Sequence, residues 1–212
     1  MAKYGTAIWV TLLAAISLFL AIPSTREAFE NITKMHPYIM GFMKFALLST
    51  MGEFLALRLV TGEWKAVKGV LAKMFVWGIL GVMIVAMFAI FTGGVNGAIS
   101  KGLLWTGEAS FSSRLLTAFY ISAIMNLTFA PVFMASHRIS DTWIETRESI
   151  GVIISKTDWG GFIKFVVGKT IPLFWIPAHT ITFMLPDQYR VLFAASLSIV
   201  LGLILSYAKL RK

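Results

Sequence analysis

Six predominantly apolar runs, at 5–22, 38–60, 70–91, 115–135, 162–185 and 189–208, are separated by polar links. Each is about 20 residues long, the length a helix needs to cross roughly 30 Å of hydrocarbon. No water is available there to satisfy a free N–H or C=O, so each run has to close its own backbone hydrogen bonds as an α-helix. The expected fold is all-α: one polytopic transmembrane helix bundle of about six spans, occupying 1–212 as a single domain.

The chain of 212 residues is 58% hydrophobic and 14% charged, with mean hydropathy +0.79, far from the half-apolar, quarter-charged balance of a soluble domain. It has no cysteine, which removes disulfides, zinc–thiolate sites, iron–sulfur clusters and thiol nucleophiles. A formal charge of +9 raises nucleic acid as a partner, but the Lys and Arg are spread between apolar runs, with only a short cluster at 209–212. The partners expected are the lipid bilayer and a small solute, with a homo-oligomer left open; no nucleic acid and no cofactor are implied.

Expected connections lie at Pro23-Ser24-Thr25, Thr61-Gly62-Glu63, the Gly-rich Thr92-Gly-Gly-Val-Asn-Gly97, a long loop at 136–161 and a tight turn at 186–188. Residues 140–149 within the long loop resemble an amphipathic surface helix carrying Trp143 and Ile144. The first run follows Lys3 and has the form of a signal peptide or of a first span. It is long for a signal peptide and lacks a small-x-small cleavage site, so an uncleaved helix is expected.

The basic residues near the span ends set an orientation. An N-terminus in the cytoplasm puts Lys3, Arg58, Lys65, Lys68, Lys73, Arg138, Arg147, Lys156, Lys164, Lys209, Arg211 and Lys212 inside. The smaller outside set is Arg26, Lys34, Lys44, Lys101, Arg114 and Arg190, with Lys169 too deep to assign. Both termini are thus expected in the cytoplasm of a cell-membrane protein, or on the matrix side of an organelle.

In the second run Ala46, Ser49, Thr50, Glu53 and Ala56 recur at spacings of three and four, giving one small and polar helical face. An ionised carboxylate at mid-membrane costs about 2.5–3.5 kcal/mol, so Glu53 is expected to be protonated, paired or wetted. Candidate partners are Lys44, Arg58, Lys73 and Lys169. The alternatives for Glu53 are a structural ion pair and a path-lining acid, with Ser49 and Arg58 grouped as structural pairing residues.

The stretch 174–190 is too polar to face lipid, since it carries Pro177, His179, Thr180 and Thr182 inside an apolar run. Trp175, His179 and Thr182 share a face, and Pro177 is expected to kink the helix and free carbonyls one turn earlier. In the fourth run Ser122, Asn126 and Ala130 form a second small-polar stripe before Pro131, and a buried Asn126 is expected to hydrogen-bond another helix. In the last run Ala195, Ser198, Gly202 and Ser206 form a face that lets two backbones approach closely.

Enzyme constellations are absent from the sequence. There is no HExxH, Gly-x-Ser-x-Gly or phosphate loop, and 92–97 lacks the Lys-Ser/Thr such a loop requires. No metal site is expected, because His36 and His137 fall near span ends and His179 has no second ligand at i+3 or i+4.

Three elements in order resemble the Mpv-seventeen and twenty-two-kilodalton peroxisomal membrane protein family. They are Met51-Gly52-Glu53, Asn126 to Pro131, and an ending with Trp175, Phe183, Pro186, Gln188-Tyr189-Arg190 and Leu205-Ser206. The resemblance covers 42–212 and leaves 1–37 as an added span and loop. It places His179 where the family has Gln and Thr182 where it has Asn, with the Pro displaced to Pro177. Departures occur at Met125, where the family has Asp, and at Leu201-Gly202, where it has Trp-Asn. The family's small integral proteins have weakly selective channel activity, so the resemblance implies a small-solute channel, here in a prokaryotic cell-membrane relative. Glu53, Asn126, Trp175, His179 and Thr182 are its expected path residues, with Pro177 and Arg190 as structural supports. A proton-coupled exporter of a small metabolite and a non-transporting scaffold are the alternatives. If 174–190 lines a path, an imidazole makes that path pH-sensitive where an amide would not.

Overall fold

A computed structural model describes residues 4–210, apart from the side chains at 205, 206 and 208–210. Lys3, Leu205-Ser206, Lys209, Arg211 and Lys212, used above for orientation, packing or resemblance, lie outside the described residues or side chains. Among the described residues the fold is all-α. The helices are α1 (Gly5–Ala21), α2 (Pro23–Met35), α3 (Pro37–Thr61), α4 (Val70–Ser100), α5 (Phe111–Thr128), α6 (Ala130–Thr146), α7 (Ile150–Lys156), α8 (Trp159–Gly161), a π-helix (Phe162–Trp175), α9 (Ile176–Met184) and α10 (Asp187–Leu210). The stretch from α8 through α9 is continuous, a span of 26 residues.

Among the described residues, four helical segments are long and apolar enough to cross a membrane, and two bent pairs raise the number to six if each is one span. The pairs are α1 with α2, bent by 89°, and α5 with α6, bent by 47°. Both bends fall beside a proline in the first turn of the second helix, Pro23 and Pro131, where a missing N–H costs no helical hydrogen bond. These lengths and compositions are those of a membrane protein.

Several expected boundaries move, for one physical reason. The Gly-rich run 92–97 is not a connection but lies inside α4, whose 31 residues make about 46 Å of helix. Glycine's helix penalty of at most about 1 kcal/mol per residue is smaller than the several kcal/mol of an unsatisfied backbone group in an apolar medium. Residues 23–35 form α2 rather than a loop, and 136–161 is mostly α6, α7 and α8. By contrast, α3 stops where expected, at Gly62, whose φ of 77° is left-handed and whose N–H caps the Arg58 carbonyl at 2.9 Å. At Pro177 the expected kink is a change of winding: the π-helix gives way to α9 at Ile176. A proline with no N–H is suited to the point where one hydrogen-bond ladder replaces another.

The chain divides into two compact units, Met1–Val82 with Val191–Lys212, and Met83–Arg190. In the first, small residues set the helix approaches. A β-carbon at Gly52 of α3 would come within 3.0 Å of the Ile199 nitrogen and Ser198 carbonyl carbon of α10, and one at Gly202 within 3.3 Å of Ala56 Cβ. Ala56 of the small face expected on the second run therefore packs on Gly202 of that expected on the sixth, with Gly52 beside it. The helix α3 also meets α4, where a β-carbon on Gly81 would collide with the Gly41 carbonyl. The helix α1 has no buried residue and is tied down by two indoles: Trp9 Nε1 donates to the Met51 carbonyl at 3.0 Å, and Trp64 Nε1 to Thr6 Oγ1 at 2.8 Å.

In the second unit α5 packs along α9 and the π-helix. A reciprocal capping box between Ser110 and Ser113 starts α5. Arg190 clamps the end of α9, donating to the carbonyls of Leu185 at 3.0 Å and Phe183 at 3.2 Å while pairing with Asp187 at 2.7 Å.

Candidate functional site

The second unit assembles most of the expected site. Helical spacing puts Ser122 and Asn126 one turn apart on α5, and both are fully buried. From α9, the buried His179 meets Asn126: its Nδ1 is 3.0 Å from Asn126 Nδ2 and 3.2 Å from Asn126 Oδ1. Asn126 Nδ2 also donates to the Ser122 carbonyl at 2.9 Å, and Ser122 Oγ donates to the Ile176 carbonyl at 2.7 Å. That carbonyl lies immediately before Pro177. Thr180 Oγ1 donates to it as well, at 2.8 Å.

Aromatic rings enclose the imidazole. Trp175 stacks on it with centroids 5.3 Å apart, and Phe88 of α4 meets it edge-on at 5.9 Å while touching Phe183 at 4.8 Å. The Trp175 indole Nε1 is buried without a hydrogen-bond partner. Thr182 is fully buried too, but its hydroxyl donates back to the Ala178 carbonyl at 2.9 Å. Asn126, Trp175 and His179 are thus brought together with Ser122, while Thr182 lies on the same helix with its hydroxyl already engaged.

Glu53 belongs to the first unit, on α3. Its Oε1 accepts from Trp77 Nε1 at 2.7 Å and its Oε2 lies 3.9 Å from Lys73 Nζ. Lys73 and Trp77 are one turn apart on α4, so a single helical face presents a cation and an indole N–H to the carboxylate. Of the four candidate partners Lys73 is the one that pairs. Lys44 instead donates to Thr33 Oγ1 at 3.0 Å and sits 4.5 Å from the Phe29 ring centroid, both on α2. Arg58 makes no ion pair with a described residue; it lies in the last turn of α3, where a cation complements the carbonyl end. The hydroxyl of Ser49, expected to pair, is buried with no hydrogen-bond partner.

Sequence reasoning missed Trp77 and Phe88. Trp77 was recoverable, because it follows Lys73 by four residues on an apolar helix; nothing in the sequence distinguishes Phe88 from the other phenylalanines of the spans.

Comparison with family models, curated proteins and solved structures finds no match.

Proposed function

We propose that this membrane protein is a channel for small polar solutes, and that Ser122, Asn126, Trp175 and His179 form the polar part of its path in the unit Met83–Arg190. The observation that carries the reading is the indole N–H of Trp175, stacked on His179 and buried without a partner. Leaving such a donor unmet costs about 1–3 kcal/mol, a cost removed when a solute or water oxygen accepts from it. The sequence resemblance of 126–131 and 175–190 to the Mpv-seventeen family supports the same role. The Lys and Arg distribution supports a cell-membrane location with both termini cytoplasmic.

A second reading, a non-transporting scaffold, is favoured by the internal hydrogen bonds of Ser122, Asn126 and Thr182. Flux into proteoliposomes separates them. A channel passes small solutes without a pH gradient, and loses or changes that flux in His179→Ala and Trp175→Phe. A proton-coupled exporter works only with a gradient, and the protein is no transporter if no flux occurs under any gradient.

A further inference from the structure

Helical hydroxyls in this chain follow a habit. Thr61, Ser100, Thr117, Thr128, Thr142, Thr146, Thr157, Thr180, Thr182 and Ser196 each donate to the carbonyl one turn earlier. That bond is always within reach on a helix, which is how an apolar span accommodates Ser and Thr. Thr92 of α4 departs from it, and so do the adjacent Ser49 and Thr50 of α3. Ser49 and Thr50 are buried, at 0% and 6% exposure, and neither hydroxyl bonds the carbonyl one turn back or any other group of the described residues. Two adjacent hydroxyls that decline an available partner are turned toward something else.

Glu53 follows Ser49 by four residues and Thr50 by three, so the carboxylate is a helical neighbour of each hydroxyl residue, at about 5–6 Å between β-carbons. A buried water needs two to four polar partners, and two hydroxyls with a carboxylate supply that number. We propose that Ser49, Thr50 and Glu53 form an internal hydration site on α3, in which ordered water takes the hydroxyl hydrogen bonds and links them to the carboxylate that Trp77 and Lys73 hold in place. The site does not depend on the proposed path at His179, and a scaffold that passes no solute would hold the same water.

Because the chain has no cysteine, a thiol introduced in place of either hydroxyl has the only S–H stretching band in the protein. Ser49→Cys and Thr50→Cys keep nearly the original side-chain size, and Leu48→Cys, at a buried apolar position on the same helix, is the dry reference. The protein is reconstituted in lipid, transferred to deuterated buffer, and the S–H band followed by infrared spectroscopy, with Glu63→Cys as the solvent-exposed limit. Exchange at position 49 or 50 is expected at least about tenfold faster than at 48, because the thiol proton leaves through water already present rather than through local opening. Exchange at both positions as slow as at 48 overturns the site. Solute flux plays no part in this readout, so the channel reading can fail while the hydration site stands, and the reverse.

Discussion

The Nδ1 of His179 faces both ends of the Asn126 amide, at 3.0 Å from Nδ2 and 3.2 Å from Oδ1. With Nδ2 as donor, both amide hydrogens are used, one on Nδ1 and one on the Ser122 carbonyl. The pair crosses from α5 to α9 with both side chains buried and fixes the register of the two helices.

Removing both members of that pair should destabilise less than the two single removals added together. Interhelical hydrogen bonds in membranes average about 0.6 kcal/mol and reach about 1.7, while a stranded buried polar group adds about 1–3 kcal/mol. Asn126→Leu and His179→Phe are each expected to lower the thermal midpoint in detergent micelles. The double variant is expected to lose less than the sum of the two, and strict additivity would show that the contact is not energetically coupled.

Trp77→Phe removes the 2.7 Å donor to Glu53 and is expected to cost about 1.5–3 kcal/mol, the range for hydrogen bonds to a charged group. In a Glu53→Gln background the same change should cost less, since the acceptor is then neutral. Unfolding of the four proteins of that cycle measures the difference; an equal cost in both backgrounds would count against a charge-assisted bond.

The glycines of the spans should divide into two classes. Gly52→Ala forces a methyl to within 3.0 Å of the α10 backbone and is expected to destabilise by about 1–3 kcal/mol. Gly93→Ala and Gly94→Ala meet nothing within 4 Å inside a continuous helix. They are expected to be neutral or to stabilise by up to about 1 kcal/mol. Melting of the three variants side by side decides; a destabilised Gly94→Ala would mean that this face of α4 has a partner.

The attachment of α1 rests on few bonds. Trp9→Phe deletes the donor to the Met51 carbonyl, worth about 0.5–1.5 kcal/mol, so amide exchange in α1 should speed up by about 2- to 12-fold. Exchange in α5 should stay unchanged, which distinguishes a local release from general destabilisation.

Much of the architecture was legible in the residue order because apolar length and backbone satisfaction are local requirements. The expected span 38–60 became α3, and 189–208 lies within α10. The approach of Ala56 to Gly202 was legible as well, since close approach needs small side chains at helical spacing, but Gly52 was not among the residues of the expected face. Connections were read less well. Glycine signals a turn in water, yet at 92–97 it stays helical, and the proline at 23 begins a helix rather than marking a loop.

At the site, the sequence singled out Asn126, Trp175 and His179 as unsuited to lipid, but not as partners, because 53 positions separate the amide from the imidazole. It allowed four cations for Glu53, and only the approach of α4 to α3 selected Lys73 and added Trp77. By itself, then, the sequence determined that the chain is helical, suited to a membrane, and obliged to shelter a few polar groups, since hydrocarbon imposes those terms on each segment separately. Which polar group meets which, and that Ser49, Thr50 and Trp175 keep hydrogen-bonding capacity that no protein group takes up, was decided by tertiary structure, because those bonds depend on how one helix crosses another.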